Sequence, residues 1–178
     1  KNLEDEELQN RIDLAAAYHL ADIYGFSDII WNHITCRTSP NKKTFLINRF
    51  GLRYDEVTAS NLLEVDLEGN ILSGEGEINY TGFVIHGAIH KTRKDLHCVM
   101  HSHSRSGLAI SCLKNGLEIL IQDSAMFHKR ISYHDWQGMS TNVQECESIS
   151  KNLGNNNAMI LRNHGLLTAG KAISETFM

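Results

Sequence analysis

His101, Ser102 and His103 are the sharpest chemical feature of the chain. On a strand, residues i and i+2 point to one face, so these two imidazoles can reach a single cation. The third donor must come from elsewhere, and His164 suits the role. It sits in the turn Arg162-Asn163-His164-Gly165 between two apolar runs, where Gly165 lets the backbone bend tightly. Three imidazoles and an open position make a catalytic-type site, because structural zinc sites are usually closed by four protein ligands. Zinc is the first expectation, with iron or manganese as alternatives.

The chain has ten histidines, so the others need weighing. His97 shares the strand parity of His101 and His103 but reads as an ordinary sheet residue. His86 and His90 stand at i, i+4 on an expected helix, which is formally ligand spacing, yet no supporting pattern surrounds them. His19, His33, His128 and His134 read as surface or packing residues from spacing alone.

The elements that must position the trio follow from pattern. Leu8, Ile12, Ala16 and Leu20 recur at helical spacing, with Ala15 and Ile23 beside them. They predict an amphipathic helix over residues 4–24, stopped by Gly25. Residues 29–37 and 45–48 read as paired strands around a polar turn at 38–43. Residues 63–66 and 71–72 flank the turn Glu68-Gly69-Asn70. Thr81 is expected to cap a helix over 82–93. A strand at 97–103, a helix at 104–113, and short strands near 119–122 and 131–133 come next. Thr141 or Asn142 is expected to cap a helix that ends at Leu153 before Gly154. Strands at 158–161 and 166–169 enclose the His164 turn, and a last helix begins after 171. Strands follow one another without intervening helices, which argues for a mixed, largely antiparallel sheet covered by helices and against a doubly wound parallel one.

The 178 residues suffice for one domain with a core of its own. The helix begun near the last residue and the opening Lys1 give the expectation that residues are absent at both ends. The formal net charge of −4 removes the positive excess that nucleic-acid binding needs. Cys36, Cys98, Cys112 and Cys146 form no CxxC pair, so reduced thiols and a cytoplasmic location are expected. The apolar runs are too short for membrane insertion.

The linked motifs resemble the class II aldolase/adducin family across nearly the whole chain. They are Asn32-His33-Ile34-Thr35-Cys36-Arg37, Phe45-Leu46-Ile47-Asn48, Gly51-Leu52 and the run from Tyr54 to Ser60. Gly82-Phe83-Val84-Ile85-His86, Arg93-Lys94-Asp95 and Val99-Met100-His101-Ser102-His103 follow in family order. Tyr133-His134-Asp135, Asn152-Leu153-Gly154 and the segment from Ile160 to Leu166 complete the series. The resemblance implies a three-layer α/β/α domain and a divalent metal, typically zinc, on His101, His103 and His164. It also implies a homo-oligomer, a tetramer in related aldolases with the site between subunits. The implied reaction is lyase cleavage of a sugar phosphate, in which the metal acts as a Lewis acid.

Two departures bear on that reaction. The family aldolases place a catalytic Glu where this chain has Gly82, and glycine cannot move a proton. Glu75 and Glu77 lie a few residues upstream, without a motif to support them. The phosphate pocket is altered too, with Asn32, His33, Phe50, Tyr80 and Thr81 at its places; His33, Gly51 and Thr81 are the candidates for anion binding. Several motifs look closer to the adducin head than to fuculose-phosphate aldolase. Three readings follow: a metal-dependent lyase on a small hydroxy-carbonyl substrate, an adducin-like binding module, and a non-haem iron enzyme. Actin binding rests on adducin analogy alone, and adducin's basic tail has no counterpart here.

Overall fold

Strand alternation divides β-rich runs between two faces, and helices cover both. The computed structural model describes residues 3–40, 42–138 and 143–178. In chain order the elements begin with α1 (Leu3–Ile23), β1 (His33–Arg37), β2 (Thr44–Asn48), a 3-10 turn (Tyr54–Glu56), β3 (Leu62–Asp66) and β4 (Ile71–Ser73). They continue with α2 (Tyr80–Thr92), β5 (Cys98–Ser102), α3 (Arg105–Ser111), α4 (Gln122–Ala125) and β6 (Ile131–His134). The last are α5 (Val143–Leu153), β7 (Ala158–Leu161), β8 (Gly165–Gly170) and α6 (Ile173–Phe177).

The strands form one sheet in the order β4-β3-β2-β1-β5-β8-β7-β6. Each described neighbouring pair is antiparallel except β6 with β7, which is parallel and joined through α5. The mixed, largely antiparallel sheet is thus the one the pattern predicts. Layering shows in β5 itself. Cys98 and Met100 pack with Ile34, Cys36, and Leu14 and Tyr18 of α1, joined by Ile173 and Phe177 of α6. Val99, between them in sequence, packs with Ile85 and Ile89 of α2 and Ile149 and Leu153 of α5. The sheet therefore lies between two helical layers, which is the three-layer arrangement.

Four local expectations need correction. On α1 the stripe Leu8, Ile12, Ala16 and Leu20 faces outward with Ile23, while Leu14, Ala17, Tyr18 and Ala21 are buried. Small alanines let that face approach the sheet closely, and Tyr18 anchors it. The Tyr18 hydroxyl accepts from the Ile34 N–H at 2.7 Å and lies 2.6 Å from the Ile34 carbonyl and 2.8 Å from Asn48 Oδ1. Asn79, not Thr81, caps α2: its Oδ1 accepts from Gly82 N–H at 3.2 Å and from the Thr81 hydroxyl at 2.9 Å. Residues 119–122 form no strand: the apolar side chains of 119–121 are exposed with no sheet neighbour, and Gln122 opens α4. The first strand begins at His33 and not at Ile29, whose φ is +51°. The expected cap at Thr141 or Asn142 lies outside the described residues. Among the described residues, no helix is long and apolar enough to cross a membrane.

Tyr18→Phe leaves a buried amide and a buried carbonyl short of a partner. Unmet buried groups of this kind cost about 1–3 kcal/mol. Urea unfolding of the variant should show a loss in that range; an unchanged midpoint would mean that packing alone anchors α1.

Candidate metal centre

Antiparallel register brings the histidines together. His101 is the fourth residue of β5, sits directly opposite His33 of β1, and pairs with Leu167 of β8. β8 follows the three-residue turn Arg162-Asn163-His164, closed where Leu161 pairs with Gly165. The turn is held from several sides. Asn163 takes a left-handed φ of +58° and its N–H donates to the Ser111 carbonyl at 3.0 Å. The Arg162 guanidinium lies 4.6 Å over the Tyr133 ring and reaches Asp135 at 3.3 Å. His103 falls one residue beyond β5, before Ser104, which caps α3. Its ring nevertheless meets that of His101, so the shared-face expectation holds although the strand ends sooner.

Ring centroids are 4.7 Å apart for His101 and His164, 4.8 Å for His101 and His103, and 5.2 Å for His103 and His164. One nitrogen from each of the three lies within 4.8 Å of the others. Outer partners decide which nitrogens face inward. His101 Nδ1–H donates to the Leu166 carbonyl at 2.9 Å, and His103 Nδ1–H donates to Asp28 Oδ2 at 2.9 Å. Such partners fix tautomer and ring orientation at metal sites. Both Nε2 atoms then carry lone pairs, and they face each other at 3.0 Å. Neutral rings cannot bond to each other in this way. A cation between them resolves the conflict, and a tetrahedral zinc ion would set two nitrogens roughly 3.3 Å apart. The residues present therefore fit a divalent metal.

Burial favours the neutral form of His101 and His164. It depresses His101 well below the usual imidazole value, assisted by His33, His164 and His103. It lowers His164 to about 4, with His103 and His134 adding to the effect.

A cavity of about 320 Å³ opens beside the trio, walled by Trp31, His33, Thr81, Ile85 and Trp136. That is the size of a small-molecule site. Trp136 meets the His164 ring edge-on at 5.3 Å. Of the residues singled out for anion binding, His33 and Thr81 line this cavity; Gly51, in the turn after β2, does not. Glu75 and Glu77 are exposed and outside the lining. Gly82 lies under the His33 ring. A Cβ there would come within 2.7 Å of His33 Cδ2 and 2.8 Å of Cγ.

Spacing alone did not reveal what stands behind His33. Its Nδ1 meets His86 Nε2 at 2.9 Å, His86 Nδ1 meets Thr35 Oγ1 at 2.7 Å, and that hydroxyl meets His90 Nε2 at 2.8 Å. All four side chains are buried. The signal was present as strand parity of His33 and Thr35 facing i, i+4 histidines on a helix. Asp28, Trp31 and Trp136 carried no such signal, since each sits in a loop.

The family whose description is Class II Aldolase and Adducin N-terminal domain matches residues 12–178. The chain belongs to that family. Three relatives show its range. A Pseudomonas aeruginosa protein provisionally named as aldolase class 2 is 43% identical over 173 residues, 97% of this chain and 66% of its own. Rat alpha-adducin is 43% identical over 171 residues, 94% of this chain and 23% of its own. The solved L-fuculose 1-phosphate aldolase of Glaciozyma antarctica superposes with a TM-score of 0.88 at 34% identity, covering 99% of this chain and 69% of that one. This chain thus spans about two thirds of the aldolase-type relatives and about a quarter of the adducin.

Two predictions arise from this class II aldolase/adducin domain. A Cβ at Gly165 would meet the Ser102 carbonyl oxygen at 2.6 Å and His103 Cδ2 at 3.0 Å. Backbone cannot yield as a side-chain tip does, so Gly165→Ala should destabilise by about 3 kcal/mol. Denaturant unfolding reads the loss; a change under about 0.5 kcal/mol, the scale of neutral surface changes, would show that the turn relaxes freely.

The second concerns pH. Burial lowers His86 and His90 well below 6.5, and each is further depressed by a neighbouring cation-forming group, His90 on His86 and Arg37 on His90. Folded, both stay neutral; unfolded, both bind protons below about 6.5. Stability is therefore full above that pH and falls as pH drops, by about 3 kcal/mol from these two residues between pH 7.5 and 5.5. Unfolding free energies at the two pH values check this, and equal values would mean these histidines titrate alike in both states.

Proposed function

We propose that this domain binds one divalent cation, zinc by preference, at His101, His103 and His164, and acts as a lyase on a small hydroxy-carbonyl substrate. The observation that carries the reading is the pair of Nε2 lone pairs aimed at one point beside the 320 Å³ cavity. When bound, the cation supplies Lewis-acid polarisation of a carbonyl oxygen. The remaining chemistry falls to the chain. Trp31, Ile85 and Trp136 give the cavity apolar walls that exclude water and hold the carbon skeleton. Thr81 and His33 offer polar contacts to the substrate's oxygens or anionic end.

Carbon–carbon cleavage also needs a group that moves a proton. In this reading Gly82 stands where family aldolases carry their Glu, and His33 takes the work over. His33 uses Nδ1 inward and leaves Nε2 without a hydrogen bond among the described residues. The chain through His86, Thr35 and His90 can run in either direction. In one direction His33 Nε2 is a donor, and in the other it is a lone pair. A proton taken at His33 Nε2 is passed inward as His33 Nδ1–H moves to His86 and on through Thr35 to His90, so the chain carries one extra proton along its length until Nε2 gives it back.

Copies of the chain associate in the same reading, supported by the exposed apolar run Ile119-Leu120-Ile121, since contiguous exposed apolar surface marks interaction sites. A binding module is the second reading, favoured by the identity to alpha-adducin. The test is turnover of ketose 1-phosphates, with dihydroxyacetone phosphate measured as product, in chelated and zinc-restored protein. Zinc-dependent product supports the lyase. Full zinc loading with no turnover of any substrate offered contradicts it and favours the binding module.

A further inference from the structure

At the other end of β5 lies a second group of metal-type donors. Cys36 and Cys98 face each other across β1 and β5. The neighbouring pair is the hydrogen-bonded one, with Arg37 N–H donating to the His97 carbonyl at 2.8 Å. The cysteines thus hold the position where antiparallel side chains come closest. Both are fully buried and both are free thiols. The His97 ring, at the mouth of the strand, brings a nitrogen to within 4.8 Å of both sulfurs.

Tetrahedral zinc on two thiolates and an imidazole sets the donors roughly 3.5–3.8 Å apart. Donor separations would need to shorten by at most about 1.3 Å to close the site. His97 also lines a cavity of about 790 Å³ beneath α1, and Asp13 lines the same cavity. The cavity gives an ion a route to the His97 ring. Electrostatics point the same way. The Cys98 thiol, hydrogen-bonded to Cys36, pulls Cys36 down, and His97 adds to the effect. Burial pushes Cys98 up, and the negative charge of Cys36 raises it further. Deprotonating either thiol would place a charge in an apolar core, where an uncompensated charge is costly, and a bound cation would offset it.

We propose that Cys36, Cys98 and His97 form a second cation site, for a thiophilic ion of the zinc type. It pins β1 to β5. Those strands carry His33 and His101 about 10 Å further along, so the site braces the sheet that presents the cavity. The proposal stands apart from the lyase reading and survives if that reading fails.

Titrating reduced, metal-free protein with Co²⁺ tests it, because thiolate-to-cobalt charge transfer absorbs in the near ultraviolet and an all-imidazole centre gives no such band. The expected result is a charge-transfer band saturating at one equivalent, additional to the binding at the trio. Cys98→Ser should abolish the band and leave the trio's equivalent in place. His97→Ala changes only a half-buried ring, so it keeps the fold testable. It should weaken the band's apparent affinity by roughly a hundredfold, at least the loss that an outer partner's removal causes. No charge-transfer band, a band unchanged in Cys98→Ser, or quantitative closure of Cys36 and Cys98 into a disulfide that cobalt does not prevent would each overturn the proposal.

Discussion

His33→Asn should lower kcat for carbonyl cleavage by roughly a hundred- to ten-thousandfold, the usual worth of a positioned proton-transfer group. Asparagine places an amide near the position of Nδ1, so the variant can keep the inward bond to His86 and still lose Nε2. His33 is not one of the three donors, so bound zinc should be unchanged. KM should move far less than kcat, because the lost group acts on the reacting proton and not on binding alone. His33→Gln completes the test. It restores a polar group near Nε2 that cannot exchange a proton, so it should remain as slow as Asn. A variant that keeps near-full kcat would remove His33 from the chemistry and leave it as a packing residue. Recovery of rate in Gln alone would reassign it to hydrogen bonding without proton transfer.

His103→Ala should weaken zinc binding by roughly a hundred- to a thousandfold. Zinc binding worth about 10–16 kcal/mol over four ligands gives roughly 2.5–4 kcal/mol to each. His103 is half-buried, and its outer partner Asp28 is exposed at the surface, so the variant should fold. Competition against a chromophoric chelator measures the change. Asp28→Asn should show a smaller loss, roughly ten- to a hundredfold, since it removes the partner that orients the ring and keeps the ring itself. If His103→Ala binds zinc as tightly as the parent chain, the pair of inward lone pairs has another explanation.

The three-histidine cluster was legible because each member rests on a local rule. His101 and His103 follow from strand periodicity and His164 from a turn closed by glycine, and register then brought the two segments together. The position of His33 beside the trio was not legible, because it depends on pairing opposite His101, which no single strand encodes. The relay through His86, Thr35 and His90 needed that same register. On α1 the larger apolar residues pointed to the wrong face. Packing there is decided by alanines small enough to let the helix close on the sheet, and by a tyrosine whose hydroxyl finds backbone partners. The cap of α2 was misplaced by two residues, since Thr81 and Asn79 are both good cap types and only geometry shows whose oxygen meets Gly82 N–H. The loop residues Asp28, Trp31 and Trp136 complete the site without any periodic signal.

The most direct test is zinc content by elemental analysis, after chelation and return of zinc, in the parent chain and in His164→Ala side by side. The three-histidine account predicts that the variant holds one equivalent less than the parent. Equal zinc in the two proteins would contradict it, because the ion would then sit somewhere that His164 does not reach.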